Sequence, residues 1–219
     1  MPELMRAADR FHTVGDGVQT WHSFSYGAHY DPERIGFGAI MAVNIEHVSP
    51  GGGYEIHAHA GVEIVTWVLR GVLRHEDSTG QAGDIRPGTV QRLSAGTGVE
   101  HSERNGSDLD PLVFVQMMLR SDHDAAPEYA QVEVDQAPCG LIPTVAVHAP
   151  AELLVARLVP GQSATIPASP RCLVIVTSGT VRSGEVEATV GDELRFTDGL
   201  EHVLEASAES AALVWSLHA

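Results

Sequence analysis

Residues 51–105 read GGGYEIHAHAGVEIVTWVLRGVLRHEDSTGQAGDIRPGTVQRLSAGTGVEHSERN, and the reading of this stretch decides the fold. It begins near His57-Ala58-His59 and closes near His101-Ser102-Glu103. Side chains two apart on a β-strand leave the same face. His57 and His59 therefore present two imidazoles to one side, and His101 and Glu103 an imidazole and a carboxylate. Two such strands facing each other inside a small barrel bring these donors to one point. Three neutral imidazoles and a carboxylate suit a divalent first-row transition metal, whereas calcium and magnesium prefer all-oxygen shells. A single His-x-His also occurs by chance on a solvated strand. The second pair, at the far end of the same strand-rich segment, favours a metal site over two unrelated surface strands.

Outward from this stretch the chain is punctuated by 22 glycines and 12 prolines into short β-branched runs, the pattern of a sandwich or barrel. Strands are expected at 36–46, 54–59, 63–70, 72–76, 89–93, 99–103 and 112–119, with a hairpin tip at 78–80. Along 63–69 both alternating sets of side chains are largely apolar, so that strand should be buried on two sides. Residues 121–140 turn polar and acidic and read as a connection, with one helical turn expected at 124–129. A second strand-rich block follows, at 153–158, 164–166, 172–178, 180–182, 185–190, 193–196, 202–205 and 211–217. Its turns repeat the grammar of the first block, but it carries no His-x-His. Ala164-Thr165-Ile166-Pro167 stands where the pair would sit, and His202 alone lies near the place of a late histidine.

At 219 residues the chain can bury a sizeable core. Its 29 acids against 13 bases, a formal charge of −16, argue against direct nucleic-acid binding, which needs a basic surface. Every base is arginine. The N-terminal MPELMRAADRF lacks the apolar core of a signal peptide and no run reaches the length of a membrane span, so a cytoplasmic protein with no membrane association is expected. Cys139 and Cys172 form no CxxC and are expected to be reduced thiols.

Several unusual pieces occur in order: HTVGDG and WHSFSYGAHYDP within 12–32, the His-x-His with EIVTWVLRGVLRHEDSTG at 63–80, and DIRPGTVQRLSAGTGVEHSERN at 84–105. With them the chain resembles the pirin family of the cupin superfamily over most of residues 10–120. The resemblance implies an all-β fold of two cupin, jelly-roll-type barrels in one chain: 1–135 as the N-terminal metal-binding barrel with its linker, and 136–219 as a C-terminal barrel without a metal site. It implies His57, His59, His101 and Glu103 as ligands. The looser cupin pattern is met by His57, His59, Glu63 and His101, so Glu63 competes for the carboxylate role. The pirin pattern and the spacing from His101 favour Glu103, leaving Glu63 to orient an imidazole, as metal-bound histidines require.

The resemblance also implies a function. Some bacterial pirins cleave the flavonol quercetin with O₂, and a His₃Glu site leaves coordination positions open for such chemistry. One divalent transition metal is expected, Fe(II) foremost with other first-row ions open. Glu103 would be the catalytic residue that takes the proton of the flavonol 3-hydroxyl. The alternative is a non-catalytic iron-binding protein that regulates transcription or a metabolic enzyme by partnering it. A metal-free binding or isomerising cupin is the third reading. The partner is thus a small aromatic, flavonol-like molecule or a protein. Pirins commonly read His-Pro-His-Arg, and this chain has Ala58 and Ala60 at the proline and arginine places. Elsewhere His75, His22 and His29 are expected to be hydrogen-bonded anchors, and Trp67 and Met117 to pack the barrel. Gly96 and Gly98 should shape a tight turn before the ligand strand. His12, His47, His123, His148 and His218 belong to no sequence constellation.

Overall fold

The computed structural model describes residues 1–134 and 140–218. The strands run β1 (Glu3–Met5), β2 (Phe11–Val14), β3 (Val18–His22), β4 (Ile40–Val48), β5 (Gly53–His59), β6 (Val62–Arg70), β7 (Leu73–Asp77), β8 (Ala82–Ile85), β9 (Thr89–Ser94), β10 (Val99–Asn105), β11 (Leu112–Arg120) and β12 (Glu128–Glu133). They continue as β13 (Gly140–Pro143), β14 (Ala151–Leu158), β15 (Ser163–Ile166), β16 (Arg171–Ser178), β17 (Thr180–Ser183), β18 (Val186–Thr189), β19 (Glu193–Phe196), β20 (His202–Ala206) and β21 (Ser210–Leu217). One short 3₁₀ turn, Ala7–Asp9, interrupts them.

Two compact units result. The N-terminal unit comprises Arg10–Glu133 and Val147–Ala149, and the C-terminal unit Met1–Asp9, Val134–Ala146 and Pro150–Ala219. In the first, a seven-stranded sheet of order β12-β9-β6-β11-β4-β3-β2 accompanies a four-stranded sheet of order β5-β10-β7-β8. In the second, a six-stranded sheet of order β1-β19-β16-β21-β14-β13 accompanies a four-stranded sheet of order β15-β20-β17-β18. Against the division expected at 135/136, the first nine residues side with the C-terminal unit. The cause is strand pairing: Glu3–Met5 adds to the edge of that unit's sheet with Leu4 opposite Leu194, and Arg6 joins Asp192 at 2.8 Å.

Apolar alternation builds each interior. In the N-terminal unit Val18, Val48, Val68, Leu73, Ile85, Leu112 and Phe114 form one cluster, and Ile64, Leu93, Ala95 and Val99 another. Burying each such side chain stabilises by roughly 1.5–3 kcal/mol. Ile64–Val68 is buried throughout, as two-sided apolarity predicts, and Trp67 and Met117 are packed inside. The hairpin tip falls where expected, with the Gly80 N–H donating to the Asp77 carbonyl at 3.0 Å.

Some expectations fail for identifiable reasons. Residues 124–129 form no helical turn, because Glu128 already begins a strand that pairs with Ser94 at the sheet edge. The strand expected from residue 36 starts at Ile40, since Gly36 and Gly38 adopt φ of 156° and 58° and the chain reverses at Phe37–Ile40. Cys172 is a free, buried thiol as expected, and burial pushes its pKa up to about 12. Cys139 lies outside the described residues.

Candidate metal centre

The antiparallel register of β10 with its neighbours assembles the site. His101 stands opposite His57 on β5 and Asp77 on β7, while Glu103 stands opposite Tyr54 and His75. Between these pairs β5 uses three residues where β10 uses two, a bulge. That slip turns Tyr54 to the same face as His57 and His59, and all three line one cavity. Strict two-residue alternation would have sent Tyr54 the other way. Gly53 makes the bulge possible. A Cβ there would sit 2.3 Å from the Glu103 carbonyl oxygen, and its φ of 149° suits glycine.

Three imidazoles converge. One ring nitrogen each from His57, His59 and His101 lies within 4.8 Å of the others. Their ring centroids are 4.9, 4.4 and 5.1 Å apart for the pairs 57–59, 57–101 and 59–101. Burial, followed by the neighbouring His57, pushes the His59 pKa down to about 4. Burial, then His57 and His59, takes His101 down to about 3. Both rings are therefore neutral at pH 7, the state in which imidazole binds a metal. Both nitrogens of His101 are buried with no hydrogen-bond partner among the described residues. A buried ring with two unsatisfied nitrogens is costly unless something else binds it. The donor set and these orphaned atoms fit a transition-metal ion.

Glu103 is buried beside them and groups with His101 and His75 within 4.8 Å. Its two oxygens accept hydrogen bonds from Gln116 Nε2 at 2.9 and 2.8 Å. Burial raises its pKa to about 7, with the Gln116 bond opposing. His75 keeps the anchoring role expected of it, through Asp77 Oδ2 at 3.0 Å. Glu63 does not. It is fully buried, accepts from Ser94 Oγ at 2.7 Å, and its other oxygen has no partner among the described residues. Among the described residues no imidazole is hydrogen-bonded to it, because strand alternation turns it away from the face that carries Ile64 and Thr66. Gly96 and Gly98 shape the turn before β10, with the Gly98 N–H donating to the Ala95 carbonyl at 2.9 Å.

The cavity measures about 310 Å³ and is lined by His57, His59, Glu103, Gln116 and Met118 together with Val18, Thr20, His22, Asn44 and Glu46, at the lower end of the size range of ligand pockets. Glu46 on β4 is a wall residue with no sequence signal: it sits in an ordinary strand and is brought in by pairing alone. Its Oε2 accepts from Thr20 at 2.5 Å and Tyr54 at 2.8 Å. Burial raises its pKa to about 7 against those bonds, with Glu103 adding to the rise. His22 bonds Asn44 at 2.9 Å and Thr13 at 3.0 Å and so is anchored, yet it also faces the cavity. A third group of three donors, His123, Glu128 and His148, lies elsewhere on the N-terminal unit. Sequence gave no constellation for these histidines, which are close only in the folded chain. The C-terminal unit contributes none of the three-donor groups found among the described residues, and its His202 bonds Asp198 at 2.8 Å.

Two β-sandwich units, the first gathering imidazoles and a carboxylate around one cavity, define a protein of the cupin class. The chain belongs to the pirin family, whose model matches residues 4–119. A Mycobacterium tuberculosis protein with a provisional quercetin 2,3-dioxygenase name is 40% identical, over 99% of this chain and 95% of its own. The Escherichia coli K12 protein named quercetin 2,3-dioxygenase is 30% identical over 98% and 97%. The bacterial pirin YhhW of Escherichia coli, solved in complex with nickel(II), superposes with a TM-score of 0.93 at 29% identity, covering 100% of this chain and 99% of that one. No helix among the described residues is long and apolar enough to cross a membrane.

Proposed function

We propose that this chain is a metal-dependent dioxygenase acting on a flavonol such as quercetin, with His57, His59, His101 and Glu103 holding a single divalent first-row ion, Fe(II) foremost. The convergence of three imidazoles beside a buried carboxylate at the wall of one cavity carries this reading. The names of its relatives support the substrate class.

When bound, the ion supplies Lewis-acid and redox chemistry toward a hydroxy-ketone substrate and O₂. The chain's own residues do the rest. His59 and His101, neutral at pH 7, offer lone pairs without first losing a proton. Glu103 is the candidate base for the substrate hydroxyl. Gln116 holds both of its oxygens in place, so that the carboxylate is positioned before substrate arrives. Farther along the wall Glu46, Tyr54 and Thr20 form a hydrogen-bonded set that can exchange partners with phenolic hydroxyls. Val18 and Met118 supply apolar surface for an aromatic ring.

The test is aerobic turnover of quercetin by protein whose metal has been identified by elemental analysis. Ring cleavage that scales with metal content, and disappears with His57→Ala/His59→Ala, supports the proposal. Metal-loaded protein that leaves quercetin intact would refute it and favour a non-catalytic partner protein.

A further inference from the structure

The loop after β11 and the segment Val147–Ala149 bring together residues that the cavity leaves out. His123, Glu128 and His148 each place a donor atom within 4.8 Å of the others. His148 Nε2 lies 2.9 Å from Glu128 Oε2, and His123 Nε2 lies 3.7 Å from Oε1. Two ring nitrogens thus face the two oxygens of one carboxylate. The rings are stacked, with centroids 3.9 Å apart and planes within 9° of parallel. Ser121 ties both backbones down: its Oγ donates to the His148 carbonyl at 2.7 Å and accepts from the His123 N–H at 3.2 Å. His123 Nε2 is buried with no hydrogen-bond partner among the described residues, although it points at this group.

Nitrogen donors on a tetrahedral zinc ion, with bonds of about 2.0–2.1 Å, sit about 3.3 Å apart. The donor atoms lie within 4.8 Å of one another, but parallel ring planes cannot both contain one ion, so the partly exposed His148 ring must swing out of the stack to aim its lone pair at an ion beside His123. Two imidazoles and one carboxylate are a donor set for borderline-soft divalent ions. We propose that His123, Glu128 and His148 form a second metal site of the zinc class, sharing no ligand with the cavity, which fastens residues 147–149 to the N-terminal unit. Water would complete the shell, since Glu128 is 48% exposed. Arg92 Nη2 already sits 3.1 Å from Glu128 Oε2 and offsets part of its charge. The ion here is therefore exchangeable and held more weakly than one in the cavity.

The probe is Zn(II) alone, titrated by calorimetry into full-length His57→Ala/His59→Ala/His101→Ala protein, in which both donor groups at the cavity are broken. One equivalent should bind, Co(II) should give visible d–d absorption in its place, and zinc should raise Tm. Adding His148→Ala should abolish all three responses, while adding His47→Ala should leave them. Glu128→Gln, checked for folding by circular dichroism, is a milder second variant and should weaken zinc binding at least tenfold. Zinc uptake that is the same with and without His148→Ala, or no uptake before that change, would overturn the proposal. Neither result depends on flavonol cleavage, so failure here is distinguishable from failure of the dioxygenase reading.

Discussion

Glu46 is the sharpest place to test the electrostatics of the cavity. Burial lifts its carboxyl from 4.5 to about 7, which corresponds to about 3 kcal/mol of preference for the neutral form. Between those two values the native state binds a proton that the unfolded chain has released, so stability falls as pH rises through this window and levels off above it. Glu46→Gln removes the titration. The amide oxygen can still accept from Thr20 and Tyr54, while the new NH₂ loses the hydrogen bond from Asn44, at a cost of about 1 kcal/mol. The variant should therefore be about 1 kcal/mol less stable than wild type near pH 4.5. It should be about 2 kcal/mol more stable at pH 8.5, where the wild type carries a buried charge. For a chain of this size, each kcal/mol moves Tm by roughly 2–4 °C. The assay is thermal unfolding of chelator-stripped protein from pH 4.5 to 8.5, wild type beside variant. Stability profiles that run parallel across this range would refute the reasoning, because the Glu46 carboxyl would then titrate alike in the folded and unfolded chain.

Replacing His57, His59 or His101 with alanine should sharply reduce bound metal; full occupancy in His57→Ala/His59→Ala, read by elemental analysis, would exclude the site. Glu103→Gln should lower quercetin turnover more than it lowers metal content, measured on the same preparation. Gly53→Ala should disturb the bulge, since its Cβ would meet the Glu103 carbonyl oxygen at 2.3 Å; weaker metal binding is expected, and unchanged metal affinity with unchanged stability would argue against a tight fit there. Ala60→Arg should speed flavonol cleavage at equal metal occupancy, by roughly ten- to a hundredfold if the arginine forms one charge-assisted hydrogen bond of about 1.5–3 kcal/mol to an anionic substrate. A change in Tm alone would mean that the side chain only braces its loop.

Most strands were readable because their cause is local. Two-sided apolarity marks 63–69, glycine and proline mark the turns, and the two histidine-bearing pairs sit on strands whose period of two puts both members on one face. Ala82–Ile85, Glu128–Glu133 and Glu3–Met5 escaped because pairing with Leu73–Asp77, Thr89–Ser94 and Glu193–Phe196 rather than a pattern of their own defines them.

By itself the sequence determined the all-β architecture and the candidate ligands His57, His59, His101 and Glu103. Patterning and residue chemistry act over a few neighbours and need no knowledge of the partner strand. Tertiary structure alone decided what surrounds them. Pairing across β3, β4 and β11 delivers Glu46, Thr20 and Gln116 to the cavity, and the bulge at Gly53 turns Tyr54 inward. The same pairing turns Glu63 away from the imidazoles, and the folded chain brings His148 beside His123. Those outcomes depend on register between segments distant in sequence, and a one-residue slip in register, which no local pattern reports, reverses the face on which a side chain lies.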